Sequence, residues 1–137
     1  MKKVLILCTG NSCRSQMGDG WLKHLAGDRI EVYSAGTHPE PVNPYAVKVM
    51  KSSGIDISNY NSNLIDDYID EAFDFVITVC DNAKERCPHF PNSSIKIHHS
   101  FIDPASAKGT DAEVTLVYET VRDQIRDFLI KFIDQNL

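Results

Sequence analysis

The sequence predicts an α/β protein: an open, mainly parallel four-stranded sheet with helices on both faces. Three observations carry that expectation. Short apolar runs recur, Val4-Leu5-Ile6-Leu7 and Phe75-Val76-Ile77 being the strongest, and both read as strands buried on two faces. Segments of helical period alternate with them. The resulting order, β-α-β-α-(α)-β-α-β-α, is that of a sheet whose ligands bind beyond the carboxyl ends of its strands.

Residues 3–7 form the first strand. It runs into Cys8-Thr9-Gly10-Asn11-Ser12-Cys13-Arg14-Ser15, after which Met17, Trp21, Leu22 and Leu25 recur at helical spacing over residues 15–26. Asp28-Arg29 is a turn, and residues 31–34 make a second strand. Gly36, Pro39 and Pro41 punctuate a loop. Asn43 caps a helix that begins on Pro44, runs to about Ser53 and stops at Gly54. A polar loop over residues 59–63 precedes a short helical stretch over residues 64–72. Residues 73–80 form the third, central strand. Asp81 caps a short helix that runs through Cys87 and ends at Pro88. Residues 95–99 are the fourth strand, and residues 101–109 are a loop holding Asp103-Pro104. The last helix covers residues 111–134, its stripe made by Val114, Val117, Val121, Ile125, Phe128, Leu129 and Phe132. Arg122, Asp123, Arg126 and Asp127 fall off that stripe and are expected to face water.

A chain of 137 residues is one domain's worth, and residues 1–137 show no repeat or linker. The net charge of −5 argues against nucleic acid or an anionic membrane as a partner, so any attraction for an anion must be local. Lys2-Lys3 is followed by only four apolar residues before Cys8, too few for a signal peptide, and no run approaches a membrane span. A cytoplasmic, reducing setting is therefore expected. There, Cys8, Cys13, Cys80 and Cys87 are more apt to be catalytic, redox-active or metal-binding than structural.

The chemistry centres on Cys8 and Arg14, which frame a five-residue loop between a strand and a helix. Such a loop offers backbone N–H groups and the positive end of a helix dipole to an anion, through Thr9, Gly10, Asn11, Ser12, Cys13, Arg14 and Ser15. A thiol in the same cradle is expected to be pushed towards thiolate, with Ser15 donating to it. Gly10 permits a tight turn, Asn11 tolerates a left-handed backbone, and Arg14 can grip two oxygens at once. Cys8 then reads as a nucleophile for a tetrahedral oxyanion. A nucleotide-type G-x4-G-K-[ST] loop is absent.

This frame resembles the low-molecular-weight protein tyrosine phosphatase family, and more closely its thioredoxin-coupled arsenate reductase branch. Residues 8–17, CTGNSCRSQM, carry the resemblance, with Gln16 where the phosphatases typically have Pro. Tyr33-Ser34-Ala35-Gly36, Val42-Asn43-Pro44, Asp56-Ile57-Ser58 and Asp103-Pro104 extend it over nearly the whole chain. It implies arsenate as substrate, Cys8 as nucleophile and Asp103 as the acid that protonates the departing oxygen. It also implies a relay of redox-active disulfides, Cys8–Cys80 and then Cys80–Cys87, in a monomer without an organic cofactor. Thioredoxin is the implied electron donor, with a glutathione–glutaredoxin route as the alternative; a phosphatase acting on phosphotyrosine is the alternative function.

The spacing of Cys80 and Cys87 has its own consequence. Seven helical residues advance about 10.5 Å, whereas a disulfide needs Cα atoms about 4.4–6.8 Å apart. Residues 81–86 must therefore loop out for these two cysteines to pair. A metal reading would add Cys13, His89, His98 or His99, but C-x6-C suits zinc poorly. Cys13 reads as a bystander. Some members of the resembled family bind potassium, and the matching positions here are Asn11, Asp19, Ser34 and Asn63. An amide at Asn63 and a shorter acid at Asp19 weaken that set, so no metal is expected.

Overall fold

The computed structural model describes residues 1–87 and 94–137. Four strands, β1 (Lys2–Cys8), β2 (Ile30–Gly36), β3 (Phe75–Thr78) and β4 (Ile95–His98), form one sheet in the order β2-β1-β3-β4, every pairing parallel. Val4 to Leu7 of β1 are fully buried, as expected of the apolar run, because neighbours and helices cover both faces. The chain moves outward from β1 to β2 and, in the opposite direction, from β3 to β4. Right-handed crossovers therefore put α1 (Arg14–Ala26) and α3 (Asp81–Arg86) on opposite faces. The reversal between β1 and β3 creates a crevice at the carboxyl end of β1, where Cys8 sits.

Helix α2 (Pro44–Ser52) starts as read: Asn43 accepts a hydrogen bond from the Tyr45 amide at 2.8 Å, and Pro44 is the first helical residue. Gly54, at φ 82°, ends the run. The stretch over residues 64–72 shortens to one 3-10 turn, Ile65–Tyr68, of which only Ile65 is buried. Too few apolar positions face the core there to hold a longer helix. Cys80 rather than Asp81 caps α3, its sulfur accepting from the Ala83 amide at 3.4 Å. The expected stop at Pro88 lies outside the described residues.

Helix α4 (Asp111–Asn136) opens with a capping box between Thr110 and Glu113. Its buried stripe is Tyr118, Val121, Ile125, Leu129 and Phe132, while Val117 is only half-buried. Tyr118 enters the core because its ring stacks on Tyr45 with centroids 5.2 Å apart. Arg122 departs from the expected solvent-facing position. Its side chain is 11% exposed, and Nη1 donates to the Val49 carbonyl and the Ser52 hydroxyl, both at 2.9 Å. The Val49 carbonyl belongs to the last turn of α2, where the Ser52 hydroxyl donates to it at 2.7 Å, and the guanidinium adds a second donor that caps the helix end. Arg122→Met is expected to lower stability by about 1.5–3 kcal/mol, read as a lower urea midpoint at unchanged slope.

Candidate functional site

The loop after β1 is shaped from outside. The Thr9 carbonyl accepts from the His38 amide, Gly10 from Glu40, Ser12 from Asn43 and Cys13 from Met17, all at 2.8–3.0 Å. The Asn11 carbonyl accepts from Gln16 Nε2 at 2.9 Å, and the Ser62 hydroxyl lies between it and the Glu40 carbonyl. Five consecutive carbonyls thus face away from the loop. Each peptide is planar and trans, so the N–H groups of Gly10 to Arg14 turn the other way, towards the loop interior. The α1 N-terminus adds its dipole at the same place.

Asn11 is the hinge of this arrangement. It is fully buried and holds φ at 47°, the left-handed backbone its residue type tolerates. Its Oδ1 accepts from the Asn63 amide at 2.8 Å, which fixes the side chain so that Nδ2 donates to Ser15 Oγ at 2.6 Å. Ser15 Oγ lies 2.8 Å from Cys8 Sγ, placed to donate to a thiolate there, and the Asn11 amide donates to the same sulfur at 3.2 Å. The donors for a thiolate are therefore built in, as the sequence suggests. The net direction is the opposite of that expected. Burial pushes the Cys8 thiol above its ordinary value, against the Ser15 hydroxyl, the Ser15 and Asn11 amides and the Arg14 guanidinium. Depth of burial, with Cys8 only 3% exposed, is what the sequence motif does not register.

A cavity of about 240 Å³ opens over Cys8. Thr9, Gly10, Ser12, Cys13 and Arg14 line it from the loop, and Asp103 faces them across it. Arg14 is held by the Phe101 carbonyl at 3.1 Å and lies 3.7 Å from Asp103. Its Nε is buried without a partner among the described residues, a donor suited to an anion's oxygen. Asp103 is itself positioned: Oδ1 accepts from the Ala105 amide at 3.0 Å, and Cys13 Sγ approaches it at 3.8 Å. Burial, with Asp103 and Cys8 nearby, pushes the Cys13 thiol up to about 12, so it stays protonated and acts as a donor.

Cys80 stands behind the loop, its sulfur 3.4 Å from Thr9 Oγ1. Cys87 is half-buried at the far end of α3, and all four cysteines are thiols. Burial raises the Cys87 thiol, and the nearby Lys96 opposes this. The first turn of α3 is tied to the site: Asn82 Oδ1 accepts from the hydroxyls of Thr37 and Thr9, and His98 bridges Thr78 and Asp81 at 2.7 and 3.0 Å. His98 and His99 diverge, His99 stacking on Phe101. His89 lies outside the described residues.

Sequence reasoning missed several of these groups. His38, Glu40 and Asn43 line the cavity mouth, Gln16 ties the loop to the Asn61 carbonyl, and Gly36 packs against the loop backbone. Their residue types do not announce a role; only the fold brings them to the loop.

Residues 3–136 match the low molecular weight phosphotyrosine protein phosphatase family. The chain belongs to that family. Within it, the chain is 49% identical over 124 residues to an arsenate reductase of Halalkalibacterium halodurans, covering 90% of this chain and 89% of that protein. Among solved structures it is similar to an arsenate reductase in the oxidized state, with TM-score 0.85 and 31% identity, and to one in the phosphate binding state, with TM-score 0.80 and 32% identity. Each alignment covers 98% of both chains. The resemblance read from the loop and its surrounding stretches thus holds over almost the full length, and the phosphatase fold carries relatives named for reduction.

Proposed function

We propose that this protein reduces arsenate to arsenite. The observation that carries the reading is the serial placement of thiols: Cys8 in the anion loop, Cys80 touching that loop through Thr9, and Cys87 one short helix away. Arsenate would be held by the inward N–H groups and Arg14. Cys8, as thiolate, attacks arsenic; a sulfur–arsenic bond forms and one oxygen leaves as water, taking a proton by way of Asp103. Cys80 then attacks Cys8 sulfur. The sulfur–sulfur bond forms, the sulfur–arsenic bond breaks, and its electron pair passes to arsenic, which leaves as arsenite. Cys87 attacks Cys80 and releases Cys8, leaving a Cys80–Cys87 disulfide. A dithiol protein of the thioredoxin class reduces that disulfide by exchange.

The last exchange requires α3 to open, since an intact helix holds Cys80 and Cys87 too far apart. Its six residues suit this: a helix so short draws little stability from its own hydrogen bonds. Loss of the α3 amide pattern in the oxidised protein by NMR is the expected result, and an unchanged helix would sink the relay.

The decisive test is arsenate-dependent NADPH consumption with thioredoxin and its reductase, run beside glutaredoxin, glutathione and glutathione reductase. Arsenite production with thioredoxin is expected, and none from either system overturns the assignment. The loop, Arg14 and Asp103 also favour a second reaction, slow hydrolysis of a small phosphate ester, because the family match and the same cavity serve it equally.

A further inference from the structure

A second cavity, of about 280 Å³, lies behind the anion loop. It contains three of the four positions, Asp19, Ser34 and Asn63, that match a potassium set in the resembled family, and the fourth, Asn11, adjoins it through Asn63. Most oxygens of this set are already engaged; Gln16 Oε1 and Asp19 Oδ1, in the cavity wall, are the buried ones without a hydrogen bond among the described residues. Asn63 turns its amide hydrogens to the carbonyls of Ser34 and Asn61, at 3.1 and 3.2 Å. The Asn11 side-chain oxygen is taken by the Asn63 amide, and its carbonyl by Gln16 and Ser62. Asp19 Oδ2 accepts from Ser34 at 3.0 Å, and Asp19 Oδ1 has an ammonium beside it: Lys23 Nζ, at 2.8 Å.

That lysine reaches in from the surface. It lies one turn after Asp19 on α1, its side chain is 47% exposed against 7% for Asp19, and its Nζ passes over the Tyr60 ring at 4.6 Å from the centroid. We propose that the Lys23 ammonium is a tethered replacement for a monovalent cation, so that this chain braces its anion loop without potassium. A buried carboxylate needs a counter-charge wherever it is ionised. Here a side chain supplies it, at the cavity whose walls, Gln16 and Asn63, directly hold Asn11. Burial lowers Lys23, but Asp19, Tyr60 and Tyr68 together raise it; burial raises the Asp19 carboxyl in spite of Lys23 and Ser34, so the pairing rests on the 2.8 Å contact.

The test is thermal unfolding and phosphate titration in KCl against choline chloride at equal ionic strength, so it stands apart from the arsenate reaction. The parent protein is expected to give the same Tm and phosphate affinity in both salts. Lys23→Met, which keeps the aliphatic stem, should lose about 3–6 °C in choline chloride, bind phosphate more weakly there, and recover at least half of both losses in KCl. In Lys23→Met/Asp19→Asn the potassium response should vanish. A parent protein that gains Tm in KCl overturns the proposal without any variant, as does a folded Lys23→Met that responds equally to both salts. Should Lys23→Met fail to fold, Lys23→Gln serves with the same two outcomes.

Discussion

Cys80→Ser is expected to end multiple-turnover arsenate reduction, with a loss on the order of 10³-fold or more, while hydrolysis of a small aryl phosphate continues unchanged. The substitution removes one atom's chemistry and little else. Serine oxygen cannot displace arsenic from Cys8 by forming a disulfide, so electrons have no route to arsenic after the first attack. The structural role of Cys80 survives. Its sulfur caps α3 by accepting from the Ala83 amide, and serine is a strong residue at that position. Loop, Arg14 and Asp103 are untouched. Stopped assays for arsenite, beside a phosphatase assay on the same preparation, separate the two reactions. A Cys80→Ser protein that still turns over arsenate removes Cys80 from the relay, and one that loses both activities has been damaged at the loop.

Much of this site is legible in the chain because its information is local. Cys8, Asn11, Arg14 and Ser15 fall within eight residues, and strand and helix periodicity fixes how they are presented. Asn11 even declares its backbone, since few other residues accept a φ of 47°. The Asn43-Pro44 start of α2 is equally plain. What is illegible depends on chain segments far apart. Arg122 is polar and off the apolar stripe, yet its side chain is drawn in against a helix-end carbonyl 73 residues away, to which it donates. Gln16 lies inside the motif but reveals its function only when Asn61 comes within 3.0 Å. The Cys8 thiol makes the same point in energy. Residue types show the donors that lower its pKa, whereas burial, which outweighs them, is a property of the whole fold.

Gly36→Ala is expected to cost about 10²-fold in kcat/KM for the oxyanion reaction and about 1–3 kcal/mol of stability. Gly36 closes β2 beside Cys8. A β-carbon there would stand 2.5 Å from the Thr9 carbonyl oxygen, 2.8 Å from the Asn11 nitrogen and 3.0 Å from the Gly10 carbonyl carbon. All three are backbone, so no flexible side chain can swing away. The Thr9 carbonyl is also held by the His38 amide, and the Gly36 amide by the Asn63 carbonyl, which pins both sides of the contact. The strain must therefore move the loop, and the N–H groups that receive the anion move with it. Gly10, the glycine within the motif, is less constrained from outside, since its nearest neighbour to a β-carbon is at 3.5 Å, an ordinary contact. Phosphate titration and the arsenate rate should fall together in Gly36→Ala while far-ultraviolet circular dichroism stays native. Parental phosphate affinity in a folded Gly36→Ala would mean that the loop does not take its shape from β2. The expected loss would instead put part of the binding geometry in a residue that never touches the ligand, 28 positions beyond the nucleophile.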